Sequence, residues 1–164
     1  MCSSDLATIE PLAQHLPHYE WMLGSNLAYG AQACYRGPRL YDTDATRDLV
    51  AKWVAWFRAH RAILESDVIH SSSRRADGRD LDWVLHANPA LPERALLTVF
   101  NPTAEAVQRT LSLSLRSANL REYAQVVGPD GNAVQVPIAA DGHLALPVAI
   151  PAQGIASYVF SPVR

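Results

Sequence analysis

Hydrophobic positions in this chain follow two periods, and the change between them falls in a polar stretch at residues 71–80. From Asp44 to Ser66, residues Leu49, Val50, Trp53, Val54, Phe57, Ala62, Ile63 and Leu64 lie near the i, i+3, i+4, i+7 spacing that gathers apolar side chains on one helix face. At about 1.5 Å per residue that helix is roughly 34 Å long, the width of a small domain. Asp42, Thr43 and Asp44 offer N-cap oxygens and negative charge to its first turn. Arg58, His60 and Arg61 put cations in its last third, where the helix dipole favours them. Upstream, residues 5–27 combine helical spacing (Leu12, Leu16, Tyr19, Leu23) with Pro11 and Pro17. An interior proline removes an amide donor and crowds the preceding turn, so two short helices are expected, or one that restarts near Pro17, with Gly24 as the stop. Between the helical stretches, Tyr29–Tyr35 is rich in small residues and bounded by Gly30 and Gly37. It predicts a buried strand or extended segment, with helix as the alternative, and Arg36-Gly37-Pro38-Arg39 predicts a loop.

Beyond Asp80 the period becomes two. Candidate strands are 82–88, 95–101, 107–115, 122–127, 133–138, 143–149 and 155–160, separated by turn-forming residues. Leu111, Leu113 and Leu115 share one face of the third, opposite Ser112 and Ser114. Asp130-Gly131 and Asp141-Gly142 are the strongest hairpin signals. The fold class expected is therefore α+β, an N-terminal helical segment followed by an antiparallel β-sandwich.

Composition narrows the partners. An apolar share of 49% suits a folded core, and 14 basic against 16 acidic residues leave no field to attract nucleic acid or an anionic membrane, so neither partner is expected. Cys2 and Cys34 cannot supply a disulfide framework. The N-terminal MCSSDLATIEPL has no basic region followed by an apolar core, so no signal peptide is expected, and no run approaches the length of a membrane span.

Five stretches carry a resemblance: YGAQACYRGPRLYDT, the helix ending WFRAHRAIL, SDVIHSSSRRADGRDLDWVLHANP, LLTVFNPT and the terminal IPAQGIASYVF. In this order they resemble the C-terminal part of bacterial glycoside hydrolases of the α-galactosidase-like type, in which a (β/α)8 barrel is followed by an antiparallel β-sandwich. The resemblance implies that Ala28–Cys34 is the last barrel strand, Asp44–Ser66 the last barrel helix, residues 1–73 a remnant of the barrel end and residues 74–164 the sandwich domain. A full barrel needs about 250 residues. The strands that bear the nucleophile and the general acid in such families have no counterpart here, so the chain resembles a fragment or remnant.

Glycoside hydrolysis needs two carboxyl groups across one bond, roughly 5 Å apart for retention and further apart for inversion. Asp42 and Asp44 read as helix caps or loop anchors, Glu20 as solvated, and Asp67, Asp80 and Asp82 as flanking elements, so no catalytic pair is nominated. The best functional group is Tyr35, Arg36, Arg39, Tyr41 and Asp42, because in the implied barrel they follow the last strand and barrel sites are built from such loops. Aromatic faces stack on sugar rings, and Arg and Asp bond hydroxyls; the plainer alternative is ion pairing of the arginines and a covering role for the tyrosines. His15 and His18, with Glu20 nearby, lack a third evident metal ligand, and no glycine-rich phosphate loop occurs, so no metal or cofactor is expected. Trp53 and Trp83 read as core residues. Three functions are in play: a non-catalytic C-terminal part of a glycoside hydrolase-like protein, a carbohydrate-binding module, and an oligomerisation module. The partners expected are a carbohydrate and either the missing barrel portion or a second copy, met through exposed helix faces.

Overall fold

The computed structural model describes residues 10–31, 39–70 and 76–163. The chain divides into two compact units, Met1–Arg61 and Ala62–Arg164.

In the first unit a short 3-10 helix, Leu12–His15, leads into helix α1, Leu16–Ala28. Pro17 falls in the first turn of α1, where the amide it lacks would have no helical acceptor, so the helix does restart beside it. Gly24 does not stop this helix. It lies buried within α1, on the side that also buries Tyr19, Leu23 and Leu27. The end comes at Gly30, whose φ of 69° is left-handed and open to glycine without strain. Around it the Gly30 amide donates to the Leu27 carbonyl (3.0 Å) and the Ala31 amide to the Asn26 carbonyl (3.1 Å), the paired bonds of a Schellman closure. The expected strand from Ala28 is thus corrected at Ala28–Gly30, which are helix end and turn; residues 32–38 lie outside the described residues.

Helix α2 runs Asp44–Leu64, two residues shorter than expected. Its buried stripe is narrower than the sequence suggests: Thr46, Val50 and Trp53 are buried, as are Ile63 and Leu64 in the last turn, whereas Val54 and Ala62 are exposed. Within the first unit an ion pair between Lys52 and Glu20 links α2 to α1.

The second unit is an antiparallel sandwich. Its strands are β1 (Asp67–His70), β2 (Asp82–Ala87), β3 (Ala95–Phe100), β4 (Val107–Ser114), β5 (Tyr123–Val127), β6 (Ala133–Pro137), β7 (His143–Ile150) and β8 (Ile155–Pro162). A six-stranded sheet has the order β1-β2-β3-β8-β5-β6, and β4 and β7 form a two-stranded sheet. The seven expected strands all form, their ends within two residues of expectation. β1 is additional; it pairs with β2 from Asp67 opposite Ala87 to His70 opposite Val84.

Alternation explains the core. β7 buries every second residue, Leu144, Leu146, Val148 and Ile150, and β4 adds Leu111 and Leu113. These pack with Leu85, Leu97, Val99, Val126 and Phe160 of the larger sheet in one cluster. Each such side chain contributes about 1.5–3 kcal/mol on burial. Pro147 is tolerated because at that position β7 pairs with β4 on one side only, so a missing amide can face outward. Asp130-Gly131 closes the β5–β6 hairpin, with φ of 75° at Gly131. Asp141-Gly142 is also a turn, with φ of 80° at Gly142, but the hairpin expected there is corrected: β6 and β7 belong to different sheets and meet through the single bridge of Ile138 with Leu144.

The FNPT and PAQG stretches meet in a polar lock. The Asn101 side chain is fully buried, and its amide nitrogen donates among the carbonyls of Glu105 (2.8 Å), Pro151 (2.8 Å) and Ile150 (3.2 Å). Its oxygen accepts from the Thr103 amide (3.1 Å) and hydroxyl (2.7 Å). One short side chain thereby satisfies groups from two connections, β3–β4 and β7–β8.

Candidate functional site

Of the five residues expected to form a site, Tyr35 and Arg36 lie outside the described residues. Arg39, Tyr41 and Asp42 stand together on the segment that enters α2. The geometry there begins with the helix cap. Thr43 and Thr46 bond reciprocally: the Thr46 amide donates to the Thr43 hydroxyl (3.4 Å), and the Thr43 amide donates to the Thr46 hydroxyl (3.0 Å). This is a capping box with threonine in the third helical position, and Thr46 is completely buried. The Asp42 amide also donates to the Thr46 hydroxyl (3.0 Å), which in turn donates to Asp42 Oδ1 (3.0 Å).

The other carboxylate oxygen of Asp42 accepts from the Ala13 amide at 3.2 Å, in the 3-10 helix 29 residues earlier. Burial alone would raise this carboxyl group. The hydrogen bonds from the Ala13 amide and the Thr46 hydroxyl outweigh it, and the group is held below its ordinary value. Asp42 therefore stays ionised at neutral pH and serves as an anchor between the cap of α2 and the start of the described chain. Tyr19 makes a second tie, its hydroxyl donating to the Leu40 carbonyl (2.6 Å). Burial, then the charges of Asp42 and Glu10, raise the Tyr19 phenol above its usual value, which keeps it a donor.

Arg39 donates to Glu10 Oε2 through Nε (3.3 Å) and Nη2 (3.1 Å), an exposed ion pair. Tyr41 carries no such tie in this network and is 50% exposed, beside exposed Leu40. The segment thus combines a fixed backbone, one presented aromatic ring and one guanidinium at the surface. That arrangement can stack on an apolar ring face and donate to hydroxyls; with Asp42 committed to its anchoring bonds, it holds no neutral acid to give up a proton.

The remaining carboxylates of interest are also engaged. Asp77 accepts from the Arg79 amide (2.9 Å), and Asp80 pairs with Arg109 on β4. Among the described residues, no three His, Cys, Asp or Glu side chains group as they would around a metal ion. Trp53 is buried, with Trp56 edge-on to it at 5.4 Å, and Trp83 packs against the sandwich core. No described helix is long and apolar enough to cross a membrane.

A helical segment followed by this antiparallel sandwich is the architecture of the C-terminal parts of glycoside hydrolases. Three solved structures make the likeness concrete. The chain superimposes on α-galactosidase I from Mortierella vinacea with a TM-score of 0.55 at 11% identity, covering 88% of this chain and 35% of that one. For an α-amylase from Anoxybacillus the TM-score is 0.54 at 16% identity, covering 93% and 35%. For AmyP, solved in complex with maltose, it is 0.52 at 12% identity, covering 90% and 35%. The chain thus spans about a third of the length of the structures it matches, and what it shares with them is the fold. No protein-family model and no curated protein sequence matches the chain.

Proposed function

We propose that this chain is the C-terminal part of a glycoside hydrolase-like protein, a helical segment from the end of a (β/α)8 barrel joined to a supporting β-sandwich, and that alone it does not hydrolyse glycosides. The observation that carries the reading is the fold match, which takes in about nine-tenths of this chain and about a third of each hydrolase. Supporting it, Asp42, Asp80, Glu10 and Glu20 are each engaged by an amide, a hydroxyl or a cation rather than facing one another across a bond to be cleaved.

On this reading Tyr35, Arg36, Arg39, Tyr41 and Asp42 belong to the rim of a carbohydrate site completed by the rest of a barrel. Tyr41 supplies a stacking face, Arg39 a donor to hydroxyls, and Asp42 fixes the direction of the loop that carries them. The test is turnover. The 164-residue chain gives no release of aryl alcohol from aryl α-galactosides or α-glucosides, whereas the chain extended by the coding sequence directly upstream does. Turnover by the short chain that Asp42→Ala abolishes overturns the reading, as does an upstream frame without a barrel-sized segment.

The exposure of Tyr29, Leu40, Tyr41 and Val54 in the helical unit favours a second reading, an oligomerisation module in which another copy covers these side chains. Sedimentation at rising concentration separates the two: a dimer that Val54→Lys dissolves supports it, and a monomer throughout removes it.

A further inference from the structure

A groove of about 670 Å³ opens at one end of the sandwich unit, between the β4–β5 connection and the β6–β7 turn, with Arg116, Arg121, Glu122 and Ile138 among its walls. A second hollow of about 550 Å³ shares the Asn119–Glu122 lining and adds Arg94 and Tyr123. Each lies within the roughly 300–1,000 Å³ typical of small-molecule sites.

The shared wall is held rigidly in an unusual backbone conformation. Asn119 and Glu122 have φ of 49° and 63°, left-handed values that non-glycine residues adopt at a cost. Short bonds hold the wall there: the Tyr123 amide donates to the Arg121 carbonyl and the Ile138 amide to the Glu122 carbonyl, both at 2.7 Å. Such strain persists where surroundings over-determine it, and it gathers at binding sites.

The charges on this wall are unbalanced. Arg116 Nε donates to the Asp141 carbonyl (2.9 Å) and Arg94 Nη1 to the Asn119 carbonyl (3.0 Å), so each guanidinium is positioned by a backbone oxygen. Among the described residues neither forms an ion pair, although, after the hydrogen bond from the His143 amide, the Arg116 charge helps hold the Asp141 carboxyl below its ordinary value, and the Arg121 guanidinium has no side-chain partner there. The acids nearby are Glu122 and Asp141, and the Asp141 carboxylate is taken up by the amide (3.0 Å) and ring (3.4 Å) of His143. Guanidinium forks match a planar carboxylate or a phosphate, but Glu122 on the same wall opposes a dianion and can accept from hydroxyls. Tyr123, 52% exposed, adds a ring face.

We propose that this two-lobed groove binds a sugar that carries a carboxylate. Arg121 and Arg116 take the carboxylate, Glu122 accepts ring hydroxyls, and Tyr123 lies under the neighbouring sugar. The sugar part of the proposal rests on the carbohydrate reading above; the carboxylate part rests on the groove alone. The test is titration of the full chain with a uronic acid disaccharide, its neutral counterpart and inorganic phosphate, read by amide chemical shifts at Asn119–Tyr123. The uronic acid shifts those amides, Arg121→Ala weakens its binding at least tenfold, and Arg121→Lys weakens it severalfold by removing the fork while keeping the charge. Because the Arg121 side chain makes no bond to another described side chain, the thermal midpoint of either variant stays at the wild-type value. No shift, a shift indifferent to Arg121→Ala, or equal binding of phosphate or of the neutral sugar at these amides overturns the proposal. Neutral sugar bound away from the groove overturns it too while leaving the carbohydrate reading intact, and the hydrolase reading stands or falls separately on turnover.

Discussion

The two compact units of this chain are stabilised in different ways. In the sandwich unit, alternating strands from two sheets bury one apolar cluster, and a single asparagine joins two of its connections from inside. Among the described residues of the helical unit the buried apolar side chains are fewer, Tyr29, Leu40, Tyr41 and Val54 are exposed, and the entry to α2 is held by polar ties: Asp42 to the Ala13 amide, Tyr19 to the Leu40 carbonyl, Arg39 to Glu10. The sandwich has the features of a self-sufficient domain. The helical unit leaves more of its apolar side chains at the surface, and under the proposed function these are the side chains the rest of a barrel would cover. Stability is therefore expected to be unequal, with the helical unit opening at lower free energy.

Substitutions can widen or close that difference. The largest effect is expected in the sandwich core, where Leu113→Ala destabilises by about 2–5 kcal/mol in denaturant unfolding. Next is Asn101→Ala, about 3 kcal/mol, because it strips the donor from the buried Ile150 carbonyl, at about 1–3 kcal/mol, and from the part-buried Glu105 and Pro151 carbonyls. Both should lower the main unfolding transition. In the helical unit Thr46→Val removes the hydroxyl that accepts from the Asp42 and Thr43 amides, leaves the Thr46 amide bonded to the Thr43 hydroxyl, and costs about 1 kcal/mol, seen as lost helical signal before the main transition. Glu20→Gln, at an exposed ion pair, should change stability by less than about 1 kcal/mol.

Acid provides a sharper contrast. The folded Asp42 carboxyl lies below its unfolded value, so its contribution is present above the unfolded pKa and is lost as pH falls through the lowered folded one. Helical signal from the first unit should fall in that window while the β signal persists, and Asp42→Asn should already lack the contribution at neutral pH and flatten the acid response there. Equal response of both signals in Asp42→Asn and wild type would show that Asp42 is not the anchor.

Most of the sandwich was legible because strand period and hairpin glycines are local signals. β1 was not: Asp-Val-Ile-His is four residues directly after a helix, too short to display alternation, and its pairing with β2 is a tertiary fact. The end of α1 was misplaced because a glycine in sequence does not reveal its φ; Gly24 is helical and buried, while Gly30 adopts the left-handed turn. At the candidate site, the run from Asp42 to Asp44 was legible as a helix start, but that Thr43 supplies the capping oxygen, and that Asp42 reaches an amide 29 residues away instead, was not. The groove at Arg116 and Arg121 left no motif, since its left-handed residues are asparagine and glutamate rather than glycine.

Native-state hydrogen exchange on the whole chain tests the inequality of the two units most directly. Amides of β3, β5 and β8 should exchange only through global unfolding, and those of α1 and of α2 up to Arg61 through openings of distinctly lower free energy. Protection of Val50 and Trp53 equal to that of Leu97 and Val126 would contradict the account.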